Sequence, residues 1–327
     1  MMECAQLLIR VVGQAVEHNE VLVLAMVFSE NGEYLVSSHY GGVRVWGVEV
    51  SKEMATLKTN GKVDCLGVSK DGSWIAAGNW RGDVFVWDAN TYVQKHTWNN
   101  GKNHIVGVDF SPDSTHLVAA SMSFTATIWD IATGKVTQNL YPEDPVLTAK
   151  YSPQGDRIAT ATNKHVLVWD RDGRLLAEIP VQLGEWRTTR LVWCNDLLVV
   201  ASGNEIKKIE EASTVSEWAV PNSEKTSHIA LQNHGEFVAC ATTTGIVTFW
   251  NTSTHAQLGF IRHDEDVESI ALSSDDRFIA VAGKDGKITI KRLSHITVST
   301  VFRWIILYFN LLELLTFPPP GHFSIYF

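Results

Sequence analysis

A chain of 327 residues with 45% apolar content is long enough for one sizeable core or for two domains. Its formal charge of -9, with a pI near 5.7, argues against an extended electrostatic grip on a nucleic-acid backbone. The four cysteines, Cys4, Cys65, Cys194 and Cys240, stand far apart without a CxxC pair, which excludes a dense disulfide framework, fits a reducing compartment and speaks against structural zinc.

At the amino terminus MMECAQLLIRVVGQA carries Glu3 and Arg10 and lacks the basic start and long apolar run of a secretory signal. Leu7 to Val12 is a candidate strand. From Val21, VLVLAMVFSENGEYLVSSHYGGVRVW predicts a strand to Phe28, a turn over Ser29 to Glu33, a strand from Tyr34 to Ser37, a turn through Tyr40 and Gly41, and a strand ending at Trp46. An amphipathic strand near Glu53 to Lys58 then leads to Asn60-Gly61. The second unit repeats this order, with turns at Asp71-Gly72 and Arg81-Gly82 and GDVFVWD, Gly82 to Asp88, as its third strand.

The third unit reads Ile105 to Asp113, His116 to Ser121, TATIWD at Thr125 to Asp130 and an outer strand around Lys135 to Leu140. The fourth turns at Ser152-Pro153-Gln154-Gly155 and ends its third strand in VLVWD, Val166 to Asp170. The fifth is irregular: Thr189 to Cys194, Leu197 to Ala201, then EIKKIE at Glu205 to Glu210, with lysines where a buried strand prefers apolar groups. The sixth carries IVTFWN at Ile246 to Asn251, and the seventh ends KITIK at Lys291. A single domain is expected over 1–308. The segment from Val301 to Leu315 is interrupted by Arg303, Asn310 and Glu313 and is short and polar for a membrane span. Residues 309–327, with Pro318, Pro319 and Pro320, read as an irregular or surface-packed tail.

The ends of the third strands, Trp46, Trp87, Trp129, Trp169, Ile209, Trp250 and Lys291, recur about every 41 residues. One four-stranded sheet of this length cannot bury both faces, whereas sheets stacked around an axis bury them against each other. The expected architecture is all-β: seven four-stranded antiparallel sheets in a ring, closed by a strand from one terminus. Leu7 to Val12 is the natural closing strand and residues 296–304 compete with it.

The paired endings Trp87-Asp88, Trp129-Asp130 and Trp169-Asp170, together with Ser-Pro-Asp at Ser111 to Asp113, resemble the WD-repeat family of β-propellers, the family of the heterotrimeric G-protein β subunit, over roughly residues 7–300. The resemblance implies a seven-bladed β-propeller. It also brings out departures. The family often has Gly-His before each first strand and an Asp in the turn from second to third strand, joined in a His, Ser or Thr, Trp and Asp network. Here no unit has that Gly-His, and the turn Asp stands clearly only at Asp285, with Tyr40, Arg81, Ser123, Asn163, Gly203 and Thr244 elsewhere. Packing of tryptophan and valine layers is therefore expected to hold the blades more than that network does.

Chemistry has few candidates. The run Asp264, Glu265, Asp266 and Glu268 has no second cluster to hold a metal or form an acid-base pair and reads as a solvated loop. The twelve histidines are dispersed without an HxxxH pair, and GxSxG and phosphate-loop patterns are absent. The recurring tryptophans read as scaffold.

Non-repeating aromatics are the better candidates. Tyr40, Trp80 beside Arg81, and Phe124 fall at second-to-third-strand turns, which share one rim of a propeller. The resemblance places Trp98 and Trp186 in loops of that same rim. These six residues are expected to form a partner-binding mouth, the alternative being that the aromatics close gaps between blades. The expected function is a non-catalytic scaffold binding a peptide or protein through rim loops, without cofactor, metal, nucleic acid or membrane, in the cytoplasm or nucleus. The alternatives are a propeller enzyme acting on a small molecule or glycan, and a sensor or assembly domain related to those of larger signalling NTPases.

Overall fold

Short strands joined by tight turns leave the chain one way to bury its alternating apolar residues, which is to pair each strand with the next. The structure is a computed structural model and describes residues 9–11, 23–50, 52–101, 103–181, 189–194, 196–202, 205–210, 213–220, 226–232, 235–242 and 244–293. Leu7, Val12, residues 296–304 and the tail 309–327 lie outside the described residues.

The first sheet has six strands in the order β2 (Met26–Phe28), β3 (Tyr34–Gly47), β4 (Lys52–Val68), β5 (Trp74–Asn79), β6 (Asp83–Asp88) and β7 (Gln94–Asn99). Four-stranded meanders follow: β8 (Ile105–Phe110), β9 (His116–Ser121), β10 (Thr125–Asp130) and β11 (Val136–Leu140); β12 (Thr148–Tyr151), β13 (Arg157–Ala161), β14 (His165–Asp170) and β15 (Leu175–Pro180); β16 (Arg190–Cys194), β17 (Leu197–Ser202), β18 (Glu205–Glu210) and β19 (Ser213–Ala219); β20 (Thr226–Leu231), β21 (Phe237–Thr242), β22 (Ile246–Asn251) and β23 (Gln257–Arg262). The last sheet joins β24 (Val267–Leu272), β25 (Phe278–Gly283) and β26 (Ile288–Leu293) to β1 (Ile9–Val11), with Ile9 opposite Leu293 and Val11 opposite Lys291.

The fold is an all-β propeller of six blades, which corrects the expected seven. The reason lies in β4, which does not turn at Asn60-Gly61. Its first half pairs with β3, with Tyr40 opposite Lys62 and Trp46 opposite Glu53. Its second half pairs with β5, with Val63 opposite Asn79. The Trp80 amide donates to the Lys62 carbonyl at 3.2 Å, so the strand passes from one ladder to the next while still extended. The first two repeat units thereby share one sheet. Around the axis β4 meets β8, β8 meets β12, and so on through β16, β20 and β24, which returns to β2.

Apolar layers between sheets form the core. Val84, Val86 and Ala76 of the first sheet meet Ile105, Leu117, Ala119 and Trp129 of the second. Alanines on second strands, Ala76, Ala77, Ala119, Ala120, Ala159 and Ala161, are fully buried and let neighbouring sheets approach closely. Trp46, Trp87, Trp129, Trp169, Ile209 and Trp250 are all buried. Lys291 is only half-buried, and its ammonium donates to the Arg262 carbonyl at 3.1 Å. Part of the expected polar network is present: the Trp46 indole donates to Ser37 Oγ at 2.8 Å and the Trp169 indole to Thr160 Oγ1 at 2.9 Å.

Turns between first and second strands repeat one hydrogen-bond pattern. Ser111 Oγ donates to Asp113 Oδ1 at 2.6 Å, which also accepts the Thr115 amide, while Ser111 Oγ accepts the His116 amide at 2.9 Å. Ser69 with Asp71 and Ser273 with Asp275 do the same. The Asp that follows Trp87 and Trp129 closes the next turn: Asp88 accepts from the amides of Asn90 and Thr91, and Asp130 from that of Thr133.

Candidate protein-interaction face

In a meander the second-to-third-strand turns and the connections between consecutive units lie at one end of the strands, and the first-to-second turns at the other. β3 folds back on itself at Tyr40 and Gly41, the latter at φ 87°, which brings the Val48 amide to the Glu33 carbonyl at 2.9 Å, so that Tyr40, Trp80, Arg81 and Phe124 are on one face of the ring. Tyr40 is 74% exposed, Trp80 43% and Phe124 48%, large apolar side chains left in solvent on successive turns. Phe124 holds a left-handed backbone, φ 65°, unfavourable for a residue with a Cβ.

Trp80 is held in place from several sides. The Arg81 guanidinium carbon lies 5.3 Å from its ring centroid, within cation–π range. His104, in the connection that enters β8, meets it edge-on at 6.5 Å and 87°. Its indole nitrogen lies so close to Gly61 that a Cβ there would approach it to 2.8 Å. Beneath the turn, Asn79 accepts from the amides of Arg81 and Asp83 at 3.0 and 2.8 Å and donates to Asn60 at 2.8 Å, while Asn99 donates to Asp83 at 2.7 Å. This amide–carboxylate network, centred on the buried Asn79 and Asp83, fixes the turn and leaves its two tip side chains outward.

Trp98 does not join them. It sits on β7, not in a loop, half-buried, with its ring stacked on Trp129 at 5.0 Å and on His96 at 4.9 Å. It fills the seam between the first and second sheets, because β7 is an outer strand whose side chain can reach the next blade. Trp186 lies outside the described residues.

Lys58 and Lys62 were not singled out from the sequence. Register places them at this corner, Lys62 opposite Tyr40 and Lys58 opposite Gly42. Their only sequence signal was proximity to Asn60-Gly61, which reads as a turn.

At the opposite end of the ring a cavity of about 700 Å³ surrounds the axis, lined by Lys70, Asp109, Lys150, Trp193, Glu236 and Ser274 among others. Lys150 pairs with Asp109 at 2.5 Å, and Asp109 also accepts the Tyr151 amide. A second cavity of about 570 Å³ lies between the sheets of β8 and β12, lined by Asp113, His116, Tyr151 and Arg171. Burial raises the Tyr151 hydroxyl well above its ordinary range, with Asp109 and Asp113 adding to the effect. The thiol of Cys65 is also pushed up by burial, with Asp64 reinforcing it. Among the described residues no group of three or more His, Cys, Asp or Glu is placed to hold a metal ion, and no helix is long and apolar enough to cross a membrane.

The profile of the WD domain, G-beta repeat, matches residues 11–47, 51–88, 93–130, 134–170 and 256–290, more than half of the chain. The unmatched interval includes the irregular fifth unit. Among similar proteins, Periodic tryptophan protein 2 of Arabidopsis thaliana is 26% identical over 159 residues, 47% of this chain and 18% of the relative. The WD repeat-containing protein WDS homolog of the same plant is 21% identical over 249 residues, 69% of this chain and 46% of the relative. U3 small nucleolar RNA-associated protein 21 of Saccharomyces cerevisiae is 33% identical over 89 residues, 26% of this chain and 9% of the relative. The chain thus spans less than half the length of each of these relatives. The repeated Trp-Asp strand ends, the sheets they build around one axis and the span of the profile match converge on one assignment: the chain belongs to the WD-repeat family of β-propellers.

Proposed function

We propose that this chain is a non-catalytic protein-interaction scaffold that binds a peptide or protein segment on the face carrying Tyr40, Trp80, Arg81 and Phe124. One observation carries the reading: three large aromatic side chains stand in solvent on successive turns of one face, and the Trp80 turn is braced beneath by hydrogen bonds to the buried Asn79 and Asp83. Exposed aromatics and arginine on a rigid support are the usual carriers of interface energy. Binding rather than catalysis is favoured because the axial cavity, where an enzyme would gather reactive groups, has its Lys150 and Asp109 tied to each other. The name of the yeast relative, a protein associated with U3 small nucleolar RNA, favours the nuclear setting over the cytoplasmic one.

The test is selection of binding peptides from a random display library on the intact chain, followed by affinity measurement on variants. Truncating Trp80 and Arg81 together to alanine is expected to cost about 2 kcal/mol, roughly 30-fold in Kd. Lys70→Ala on the opposite face serves as the control. Unchanged affinity in the folded double variant, with loss in the control, moves the binding face to the axial cavity and sinks the proposal.

A further inference from the structure

The same corner has a charge character that aromatic exposure does not account for. Lys58, Lys62 and Arg81 all border residues 58–62 of β4: Lys62 pairs with Tyr40 across the ladder, and Arg81 Nε lies 3.5 Å from where a Cβ on Gly61 would stand. None of the three has an ion-pair partner among the described residues. Elsewhere at this end of the ring Lys164 pairs with Asp144 at 2.7 Å and Lys284 with Asp266 at 3.9 Å. The nearby carboxylate of Asp83 is buried, and its two oxygens accept from Asn79 and Asn99. On a chain of formal charge -9, three uncompensated cations around exposed aromatics form a local reversal of sign.

We propose that this corner binds a peptide segment rich in Asp and Glu with interspersed apolar residues. The inference rests on the preceding reading and adds the partner's chemistry. Carboxylates of an extended segment would meet the Arg81 fork and the two ammonium groups, and its apolar side chains would lie on Tyr40 and Trp80. Charge complementarity of this kind sets selectivity and association rate, and Arg offers the planar, bidentate donor geometry that carboxylates accept. A peptide is favoured over nucleic acid because the rest of the chain's charge repels a long polyanion.

The experiment uses the intact chain and a fluorescein-labelled 12-residue peptide of alternating Glu and Leu, its Gln-for-Glu counterpart, and a 12-nucleotide single-stranded RNA, read by fluorescence anisotropy. The Glu peptide is expected to bind at least about tenfold more tightly than the Gln peptide and to weaken with added salt. Lys58→Gln and Lys62→Gln should each cost about two- to fivefold, and K58E/K62E/R81E at least about tenfold. If the charge-reversed variant fails to fold, K58Q/K62Q/R81Q is measured instead, with the same direction expected.

No binding of the Glu peptide overturns the inference. Equal binding of the Gln peptide that is lost in Y40A/W80A overturns the charge assignment while leaving the aromatic face standing. Equal binding of the RNA through the same cations overturns peptide selectivity. Self-association in sedimentation that the charge-reversed variant abolishes would assign the corner to a second copy, through its own acidic run at 264–268, and would equally overturn it.

Discussion

Phe124 and Trp87 show how differently two aromatics on neighbouring sheets are used. Trp87 is 2% exposed and stacks on Phe85 at 5.7 Å, so its place follows from the period of the repeat. Phe124 is exposed in a backbone region that disfavours a Cβ, which gives its turn a conformational cost that the partial burial of its ring offsets only in part. Replacing Phe124 with glycine relieves about 1–2 kcal/mol of left-handed strain against a glycine entropy cost of about 0.5–1 kcal/mol. The expected outcome is a stability gain of about 0.5–1 kcal/mol in denaturant unfolding, together with weaker binding of any peptide selected on this face. A clear stability loss would show that the Phe124 ring contributes to packing. The placement of the candidate residues was thus partly legible: Tyr40, Trp80, Arg81 and Phe124 fall on turns that could be read in the sequence, and their role in binding is the proposal made above. Trp98 was misread because a ring on an outer strand and a ring in the following loop are only a few residues apart.

At the scale of elements, the recurring first turn is a small hydrogen-bonded unit with a titratable member. Ser111 donates to Asp113, the largest of the influences on it, and outweighs the opposing effect of burial, so that with Thr115 the carboxyl falls from its ordinary 3.8 to about 2. A depressed carboxyl stabilises the fold above the unfolded value, near pH 4, and loses that contribution as pH falls through about 2. Asp71 and Asp275 are also lowered, burial opposing and the turn hydrogen bonds prevailing. Ser111→Ala should raise the Asp113 value toward 3.8, visible in a carboxyl NMR titration, and shift acid unfolding to higher pH. Loss of its two hydrogen bonds should cost about 1–3 kcal/mol at neutral pH. An unmoved Asp113 titration would show that Thr115 alone holds the carboxylate. The serine-to-aspartate spacing made these turns readable, whereas Asn60-Gly61, equally turn-like in composition, stays extended because both neighbouring ladders claim it.

For the whole molecule, closure depends on a strand far away in sequence. β1 completes the last sheet by pairing with β26, with Arg10 opposite Arg292, and covers an edge that would otherwise offer unpaired backbone groups. Removing residues 1–11 is expected to lower stability by roughly 2 kcal/mol for the lost ladder bonds and to promote association through the freed edge. Sedimentation and thermal unfolding read both effects, and a truncated chain that stays monomeric with unchanged Tm would show that closure rests on the inner strands alone. The sequence by itself determined the all-β class, the recurring strand unit, the buried tryptophans and the turn chemistry, because these depend on side-chain period and local hydrogen bonds. Only the tertiary structure decided the number of sheets, the seat of Trp98 and the meeting of Lys58, Lys62 and Arg81. Those depend on register and on whether a strand continues across a possible turn, which competing ladders settle and local composition does not.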